Sequence, residues 1–467
     1  SLFIVSRYRE EATREGFGLD ALRRTLQTAG RTVLFSSVTV AFSIAALTIF
    51  PQRFLYSMGI AGAIVALLAA ALALTVLPAL LSVLGPRVNA LSPRPLRRAA
   101  QREARPARSG AWYRVAQFVV TRRPAQVAAA SAAVLLALGI PFTQIRFITA
   151  DAGVLPASAS AHQVQDALDT QFPPNRTAPL EIVAGVSASS PEVRELSERI
   201  ARLSDVSAVA PAQPAGAELS LLQVAPVHGP LTGSTEQLVR QVRAIHTPYY
   251  LGVAGQTASY LDLEHSLATH LPAALAVVVA ATLIVLFLMT GSLLLPLMAV
   301  AMNALSLSAV FGILVLIFQH GNLQGLFGYR SVGALDATQP ILLFAIAFGL
   351  ATDYGVFLLA RIKEARDAGA PHAEAIAMGL ERTGRIVTAA ALLFAVAISA
   401  FATSQIVFIK ELGIGTALAV LVDASVIRAL LMPSLMSLLG PRVWWAPRSL
   451  RWLHERTGLR EGTPQPV

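Results

Sequence analysis

The chain has 467 residues, of which 55% are hydrophobic and 14% are charged, and its mean hydropathy is +0.60. This composition excludes an ordinary soluble globular domain and predicts a membrane protein. The absence of cysteine excludes disulfides, Cys-ligated zinc and iron–sulfur clusters, and arginines that flank membrane spans explain the net charge of +10, so we predict no nucleic-acid partner.

Eight apolar stretches are long enough to cross a bilayer as helices. In chain order they are 33–50, 58–84, 126–143, 272–290, 293–318, 340–360, 386–404 and 412–439. Residues 1–6 have the composition of the end of a further span. The pattern therefore predicts an α-helical polytopic membrane protein.

Arginine predicts the orientation of these spans. Arginines concentrate in alternate connections, at 7–31, 85–124 and 361–385 and after Gly440. The positive-inside rule places these segments in the cytoplasm and the intervening loops outside. The arginine-rich segment 85–124 would attract anionic membrane lipids, although topology control alone explains its charge as well.

Residues 145–270 form the one large polar insertion. It contains seven arginines, no lysine and twelve acidic residues, which places it on the extracytoplasmic side. Its pattern predicts a helix at 160–171, followed by strand, helix, strand, strand, helix and strand from 179 to 254. That order is typical of a ferredoxin-like α+β domain, and any other small α+β domain is the alternative.

Asp353 lies in the apolar run from Pro340 to Ala360, whose 21 residues span roughly 31 Å as a helix. A carboxylate at membrane depth is costly and normally marks an ion or proton pathway. Tyr354 can donate a hydrogen bond to it or gate access, and Gly349 and Gly355 would allow close helix packing. The alternative is a permanently neutral aspartic acid that holds helices together.

Asp423 is the second acid inside an apolar run, and Arg428 follows five residues later. Five residues turn an α-helix by about 140°, so we expect the two side chains not to face each other. A structural role with another arginine or a backbone cap is favoured for Asp423, with support of the pathway at Asp353 as the alternative. Asn303 is a candidate neighbour of that pathway too, although interhelical hydrogen bonding also explains it.

Several motifs are missing from the sequence. The two lysines, Lys363 and Lys410, are each followed by glutamate, so no P-loop is present and ATP is not used through that motif. The outer domain has no Gly-x-Ser-x-Gly or His-Glu-x-x-His motif, and His265 and His270 are wrongly spaced for a shared metal. We therefore predict a secondary active transporter without enzymatic activity, cofactor or metal.

An internal repeat appears when each residue is aligned with the residue 354 positions later. The alignment pairs Phe3 with Phe357, Arg7 with Arg361 and Glu10 with Glu364, among others. Transporter folds often contain such duplications, with ion and substrate sites where the repeats meet. We expect a second Asp-Tyr pair immediately before the first residue in the intact protein, of which this chain would be a fragment.

Four segments resemble motifs of the MMPL lipid transporters, in the resistance–nodulation–division (RND) superfamily. Gly349-Leu-Ala-Thr-Asp-Tyr-Gly-Val-Phe-Leu-Leu-Ala-Arg361 is similar to the tenth-helix motif of that family. The others are Gly384-Arg-Ile-Val-Thr-Ala-Ala-Ala-Leu, Leu412-Gly-Ile-Gly with Val422-Asp-Ala-Ser-Val-Ile-Arg428, and Ser6-Arg-Tyr-Arg-Glu10. They occur in the order that the family has along its helices.

The resemblance implies a twelve-helix, proton-driven exporter of lipids or other hydrophobic molecules in the bacterial cell membrane. In the family, Asp-Tyr pairs on helices four and ten form the proton relay, so Asp353 and Tyr354 would be half of it. Because the helix-four pair would precede this chain, we expect the isolated chain to be an incomplete transporter.

The same resemblance implies a domain organisation with an extracytoplasmic ferredoxin-like porter domain. Its parts are the end of the first-repeat bundle at 1–84, a basic cytoplasmic linker at 85–124, helix seven at 125–144, the porter domain at 145–270, the second-repeat bundle at 271–440 and a short cytoplasmic tail at 441–467. Three alternatives stay open: a Patched-like member of the superfamily, a translocation auxiliary of the SecD and SecF kind, and a non-transporting membrane scaffold.

Overall fold

The computed structural model describes residues 2–89, 111–149, 152–172 and 178–456. Most of the arginine-rich linker and the end of the tail lie outside these residues. Within them, eight helices are long and apolar enough to cross a membrane, which confirms the predicted number. They extend over Leu19–Ile49, Arg53–Val88, Pro124–Gln144, Gln256–Thr290, Leu294–Gln319, Gln339–Asp367, His372–Thr403 and Val407–Trp444.

The first membrane part consists of the helices before the outer domain. They are α1 (Leu2–Glu15), α2 (Leu19–Thr25), α3 (Arg31–Ala45), α4 (Arg53–Leu74), α5 (Val76–Leu84), α6 (Ala111–Gln117) and α7 (Pro124–Gly139). A π-helical turn at Leu26–Gly30 joins α2 to α3, so that the two form one continuous helix. Apolar residues cover the spanning helices α3, α4 and α7 on most sides, as membrane-spanning helices require.

The outer domain contains one antiparallel sheet with helices on it. Its elements are α8 (Ser160–Gln171), β2 (Leu180–Ala184), α9 (Pro191–Ala201), β3 (Val206–Val209), β4 (Gln213–Gly216), β5 (Leu219–Pro226), α10 (Gly233–Arg243) and β6 (Leu251–Ala254), and β1 (Phe147–Ile148) precedes them. The strand order β3-β5-β2-β6 is that of a ferredoxin-like unit, as predicted. Alternate residues of β2, from Leu180 to Ala184, are buried against the helices, which gives the period of two expected of a strand.

The second membrane part follows the outer domain. Its elements are α11 (Gln256–Thr290), α12 (Leu294–Leu314), α13 (Gln324–Phe327), β7 (Leu335–Asp336), α14 (Gln339–Asp367), α15 (His372–Ser399), α16 (Val407–Val422), α17 (Met432–Leu439) and α18 (Arg448–Arg456). Helix α11 leaves the outer domain and continues across the membrane without a break. A π-helical segment, Asp423–Leu431, connects α16 to α17.

Helix α14 is the central helix of the membrane part. It packs against α3 of the first repeat and against α12, α15 and α16 of the second. In its most apolar window 69% of the residues are buried, the highest value among the eight spanning helices of the described chain. Most of the apolar part of α14 is therefore enclosed by protein and not by lipid.

Candidate functional site

Asp353 and Tyr354 lie near the midpoint of α14, at the depth that the sequence predicts. The structure describes their helical backbone, and their side chains lie outside what it describes. The site is therefore built here from the residues around these two positions. Three contacts define those surroundings, on α3, on α12 and on the π-helical segment.

The first contact is with α3. The Ser43 hydroxyl donates to the carbonyl oxygen of Ala345 at 2.9 Å, and both residues are buried. A Cβ added to Gly349 would lie 3.4 Å from Cβ of Ser43, so this glycine allows the two helices to approach closely. Because residues four apart share a helix face, position 353 lies on the α14 face that packs on α3.

The second contact is with α12. The Asn303 amide nitrogen lies 3.4 Å from the hydroxyl oxygen of Thr352, whose hydroxyl donates to the carbonyl oxygen of Phe348 at 2.9 Å. Asn303 and Thr352 are both buried. The predicted polar neighbour Asn303 thus contacts the residue that directly precedes Asp353.

The third contact corrects an expectation from the sequence. Arg428 donates from Nε to Oδ2 of Asp423 at 2.5 Å, and each side chain is 4% exposed. The expectation that these residues do not face each other was wrong because Asp423–Leu431 is π-helical. In a π-helix the hydrogen bonds join residues i and i+5, which brings two residues five apart onto one face.

Arg428 also reaches across to α14. Its Nη2 donates to the carbonyl oxygen of Ala351, and a Cβ added to Gly355 would lie 3.6 Å from Nη1. Gly355 therefore leaves room for the guanidinium group against the α14 backbone. The buried guanidinium group of Arg428 therefore contacts α14 at Ala351 and lies close to Gly355, two residues before and two residues after Asp353.

A charged cluster lies where α1 meets the end of α14. Arg7 contacts Glu10 at 3.1 Å and Glu364 at 3.3 Å, and Arg361 contacts Glu364 at 2.8 Å and Glu10 at 3.0 Å. Arg7 also binds Glu11 at 3.0 Å. We call Arg7, Glu10, Arg361 and Glu364 the four-residue cluster.

The four-residue cluster follows the internal repeat. Each arginine binds the glutamate of its own helix and the glutamate of the other helix. The two helices are equivalent in the repeat alignment, whose offset is 354 residues. Burial raises the pKa of the Glu10 carboxyl, but Arg361 and Arg7 more than offset this and hold the pKa below its usual value. A cavity of about 40 Å³ adjoins the cluster and is lined in part by Phe3 and Phe357.

Several of the predicted site residues thus lie near one another. Asn303, Gly349 and Gly355 lie around the middle of α14, and the Asp423–Arg428 pair lies against the same helix. The sequence did not single out the four-residue cluster as a site, although the repeat alignment already paired its members. Arg428 was considered only as a distant neighbour of Asp423.

Comparison with known proteins identifies similar chains. The model of the MMPL family matches residues 1–127 and 228–467. A membrane protein of Streptomyces coelicolor is 40% identical over 469 residues, which cover 100% of this chain and 64% of that protein. The trehalose monomycolate exporter MmpL3 of Mycolicibacterium smegmatis is 35% identical over 498 residues, which cover 98% of this chain and 49% of the exporter.

The chain therefore spans between about half and two thirds of the length of these relatives. Among solved structures, SecDF in its super-membrane-facing form has a TM-score of 0.48 at 13% identity, covering 98% of this chain and 53% of that chain. A likeness of that size carries no argument about function.

Proposed function

The chain belongs to the MMPL family, and from that membership we propose that it takes part in the proton-driven export of lipids or other hydrophobic molecules across the cytoplasmic membrane. Asp353 and Tyr354 serve as half of the proton relay. The chain is part of a multi-pass bacterial membrane protein. The proposal concerns what the helices around Asp353 contribute to the whole transporter.

The observation that carries the proposal is the position of Asp353 on α14, the most buried spanning helix of the described chain, between Ala351 and Gly355, which a buried arginine approaches. An ionised carboxylate is favoured when a cation or a hydrogen-bond donor approaches and disfavoured when it is left among apolar groups. A change in the packing of α14 against α3 or the π-helical segment would alter that balance. Asp353 could then take a proton on one side of the membrane and release it on the other.

The surrounding polar groups have supporting roles in this proposal. Asn303 and Thr352 supply hydrogen-bonding groups one residue away from Asp353. Arg428 is held by Asp423 and by the Ala351 carbonyl, so its charge has a fixed position relative to α14. Fixed charges and dipoles lower the cost of moving a proton because they need no reorganisation at that moment.

The similarity to a trehalose monomycolate exporter supports the lipid part of the proposal. In this proposal the outer domain stands on the extracytoplasmic side. Helix α11 connects it directly to the membrane part. A hydrophobic molecule leaving the membrane would meet this domain next. We propose that the domain receives such a molecule, and that proton movement at Asp353 drives its release.

Asp353→Asn tests the relay. The whole transporter that contains this chain would be reconstituted into lipid vesicles, and proton entry and lipid export would be followed under an imposed pH gradient. We expect Asp353→Asn to abolish both while leaving expression unchanged. Asp367→Asn is the matched control, since Asp367 lies on the same helix and is exposed. Gradient-driven export that persists in Asp353→Asn would contradict the proposal.

A further inference from the structure

A further buried carboxylate, which the relay proposal does not use, lies at the extracytoplasmic end of the second membrane part. Glu411 is the fifth residue of α16 and only 4% exposed. Its Oε2 has no hydrogen-bond partner among the described residues. The adjacent Lys410 donates instead to the carbonyl oxygens of Phe327 and Gly328. An ionised carboxylate buried in this way is costly, so the group needs a positive partner or a proton.

A small cavity adjoins this carboxylate. It has a volume of about 10 Å³, and Glu411 and Gln339 are the polar residues that line it. The rest of the lining is apolar, from Ile145, Phe311, Leu314, Leu335, Pro340 and Leu343. The accessible surface of the cavity is apolar, and apolar cavities of this kind stay dry. The Glu411 carboxylate therefore lies beside a small dry space and not beside bulk water.

The charged and titratable groups that face Glu411 come from the loop before α14. The Asp336 carboxylate interacts unfavourably with that of Glu411. Asp336 accepts hydrogen bonds from the backbone nitrogen and the hydroxyl of Thr338, at 2.8 and 2.5 Å, which fix its position beside Glu411. This neighbour adds to the cost of an ionised carboxylate at Glu411.

Tyr329 is the other titratable group near Glu411. It donates its hydroxyl to the carbonyl oxygens of Ile317 and Asn322. Burial raises the pKa of Tyr329, and the Glu411 carboxylate raises it further, so the tyrosine stays neutral. The residues of α12 and α14 that line the cavity beside Glu411 include no charged residue.

These features point to a proton-binding site, and we propose that Glu411 takes up protons from the extracytoplasmic side, ahead of Asp353. This inference rests on the proton coupling proposed above. A hydronium ion at the outer surface transfers a proton to Oε2, which forms an O–H bond. The carboxylate becomes a neutral carboxyl, and the hydronium becomes a water molecule that stays at the outer surface.

The chemistry of the cavity favours a proton over a metal cation. Sodium, magnesium and calcium ions take several oxygen ligands, whereas the accessible surface of this cavity is apolar. A proton requires a single lone pair. The partnerless oxygen supplies it.

The position of the cavity fits an entry site. Gln339 and Pro340 begin α14 and line the cavity, and Asp353 lies on the same helix, roughly 20 Å further along. Leu343 and Leu314 lie between, and both pack on Gly415, where an added Cβ would lie 2.9 Å and 3.0 Å from their methyl carbons. An apolar layer therefore separates Glu411 from the centre of the membrane, as a stepwise pathway requires.

Infrared difference spectroscopy of the full protein in lipid membranes tests protonation directly. We expect a protonated-carboxyl band at neutral pH that weakens as the pH is raised and is lost in Glu411→Gln. The exposed Glu218→Gln serves as matched control and should keep the band. Glu411→Asp should retain a shifted band if Glu411→Gln folds poorly. An unchanged band in a folded Glu411→Gln protein would overturn the inference.

A transport measurement separates this inference from the relay proposal. With Glu411→Gln we expect lipid export to lose its dependence on the outer pH, whereas the wild type responds to it. If the outer-pH dependence were intact in Glu411→Gln, the inference would be overturned whatever Asp353→Asn shows. Conversely, a failed relay test would leave the infrared band of Glu411 in place, so the two failures are distinguishable.

Discussion

Phe3 and Phe357 stack with their ring centroids 3.6 Å apart and their planes inclined by only 4°, although 354 residues separate them. The same offset separates Arg7 from Arg361 and Glu10 from Glu364. Across the two helices, Arg7 binds Glu364 and Arg361 binds Glu10. Equivalent positions of the two repeats therefore meet directly. Helix α1 and the end of helix α14 are equivalent segments of the two repeats, and they contact each other through residues at equivalent positions.

Phe357→Ala should destabilise the protein because it removes a buried ring and its stacking partner. Phe357 is 7% exposed, and loss of a buried phenylalanine costs about 3–5 kcal/mol, to which stacking contributes about 0.5–1.5 kcal/mol. Thermal unfolding in detergent measures the change. The control is Phe401→Ala, since Phe401 is 47% exposed. Equal effects of the two variants would show that the stack contributes nothing.

Glu10→Gln should make the unfolding temperature of the protein depend less on pH in the acidic range. The pKa of Glu10 is lowered from 4.5 in the folded state, so its stabilisation is present above pH 4.5 and is lost as the pH falls through the folded-state pKa. The unfolding temperature of the wild type should exceed that of Glu10→Gln at neutral pH, and the difference should shrink below pH 4.5.

Glu218→Gln provides the control for this pH series, because Glu218 is an exposed glutamate of the outer domain. Its unfolding temperature should follow that of the wild type throughout. A carboxyl with a lowered pKa cannot produce a difference in unfolding temperature between the wild type and Glu10→Gln that grows as the pH falls. Such a result would contradict the prediction.

The buried pair of Asp423 and Arg428 should show strong coupling. Removing one partner leaves the other charge buried and unpaired, which costs about 3–5 kcal/mol. We expect Asp423→Asn and Arg428→Gln to be strongly destabilising alone, and the double variant to be less destabilised than their sum. A double-mutant cycle in thermal unfolding measures the coupling. Ser425→Ala, on the exposed face of the same π-helical segment, should change little, and additive effects of the pair would refute the coupling.

Gly413→Ala should disturb the packing of α16 on α15. An added Cβ would lie 2.6 Å from Cβ of Phe401 and 3.0 Å from the carbonyl oxygen of Ile398. Overpacking of this kind costs about 1–3 kcal/mol. Gly325→Ala is matched to it, because Gly325 is also helical and an added Cβ there meets nothing within 4 Å. The free energy of unfolding should fall in the first variant only.

The sequence predicted the features that depend on local pattern. All eight spans follow from apolar runs, because the bilayer imposes a length of about 20 apolar residues on each helix. The order of strands and helices in the outer domain follows from periods of 2.0 and 3.6 residues. The short strand β4 was missed because Pro214 and Gly216 are poor strand residues and only pairing with β5 places them in the sheet.

Features that depend on packing were not predictable in this way. The π-helical segment that brings Asp423 to Arg428 has no signature in hydrophobicity, and an α-helical geometry gave the wrong face for both residues. Glu411 was placed in an outer loop that ended at 411, with the last span starting at 412. Helix α16 begins at Val407, so Glu411 is inside the helix and buried.

The two-residue strands β1 and β7 have a mechanical consequence. They pair in parallel, with Leu335 donating to the Arg146 carbonyl at 2.9 Å and Ala337 donating to that of Ile148 at 3.0 Å. Tyr260 of α11 donates to the Phe147 carbonyl as well, at 3.1 Å. A displacement of the outer domain relative to the membrane part would have to break these bonds or pull on the chain that leads into α14. The β1–β7 pair therefore links the position of the outer domain to the helix that contains Asp353.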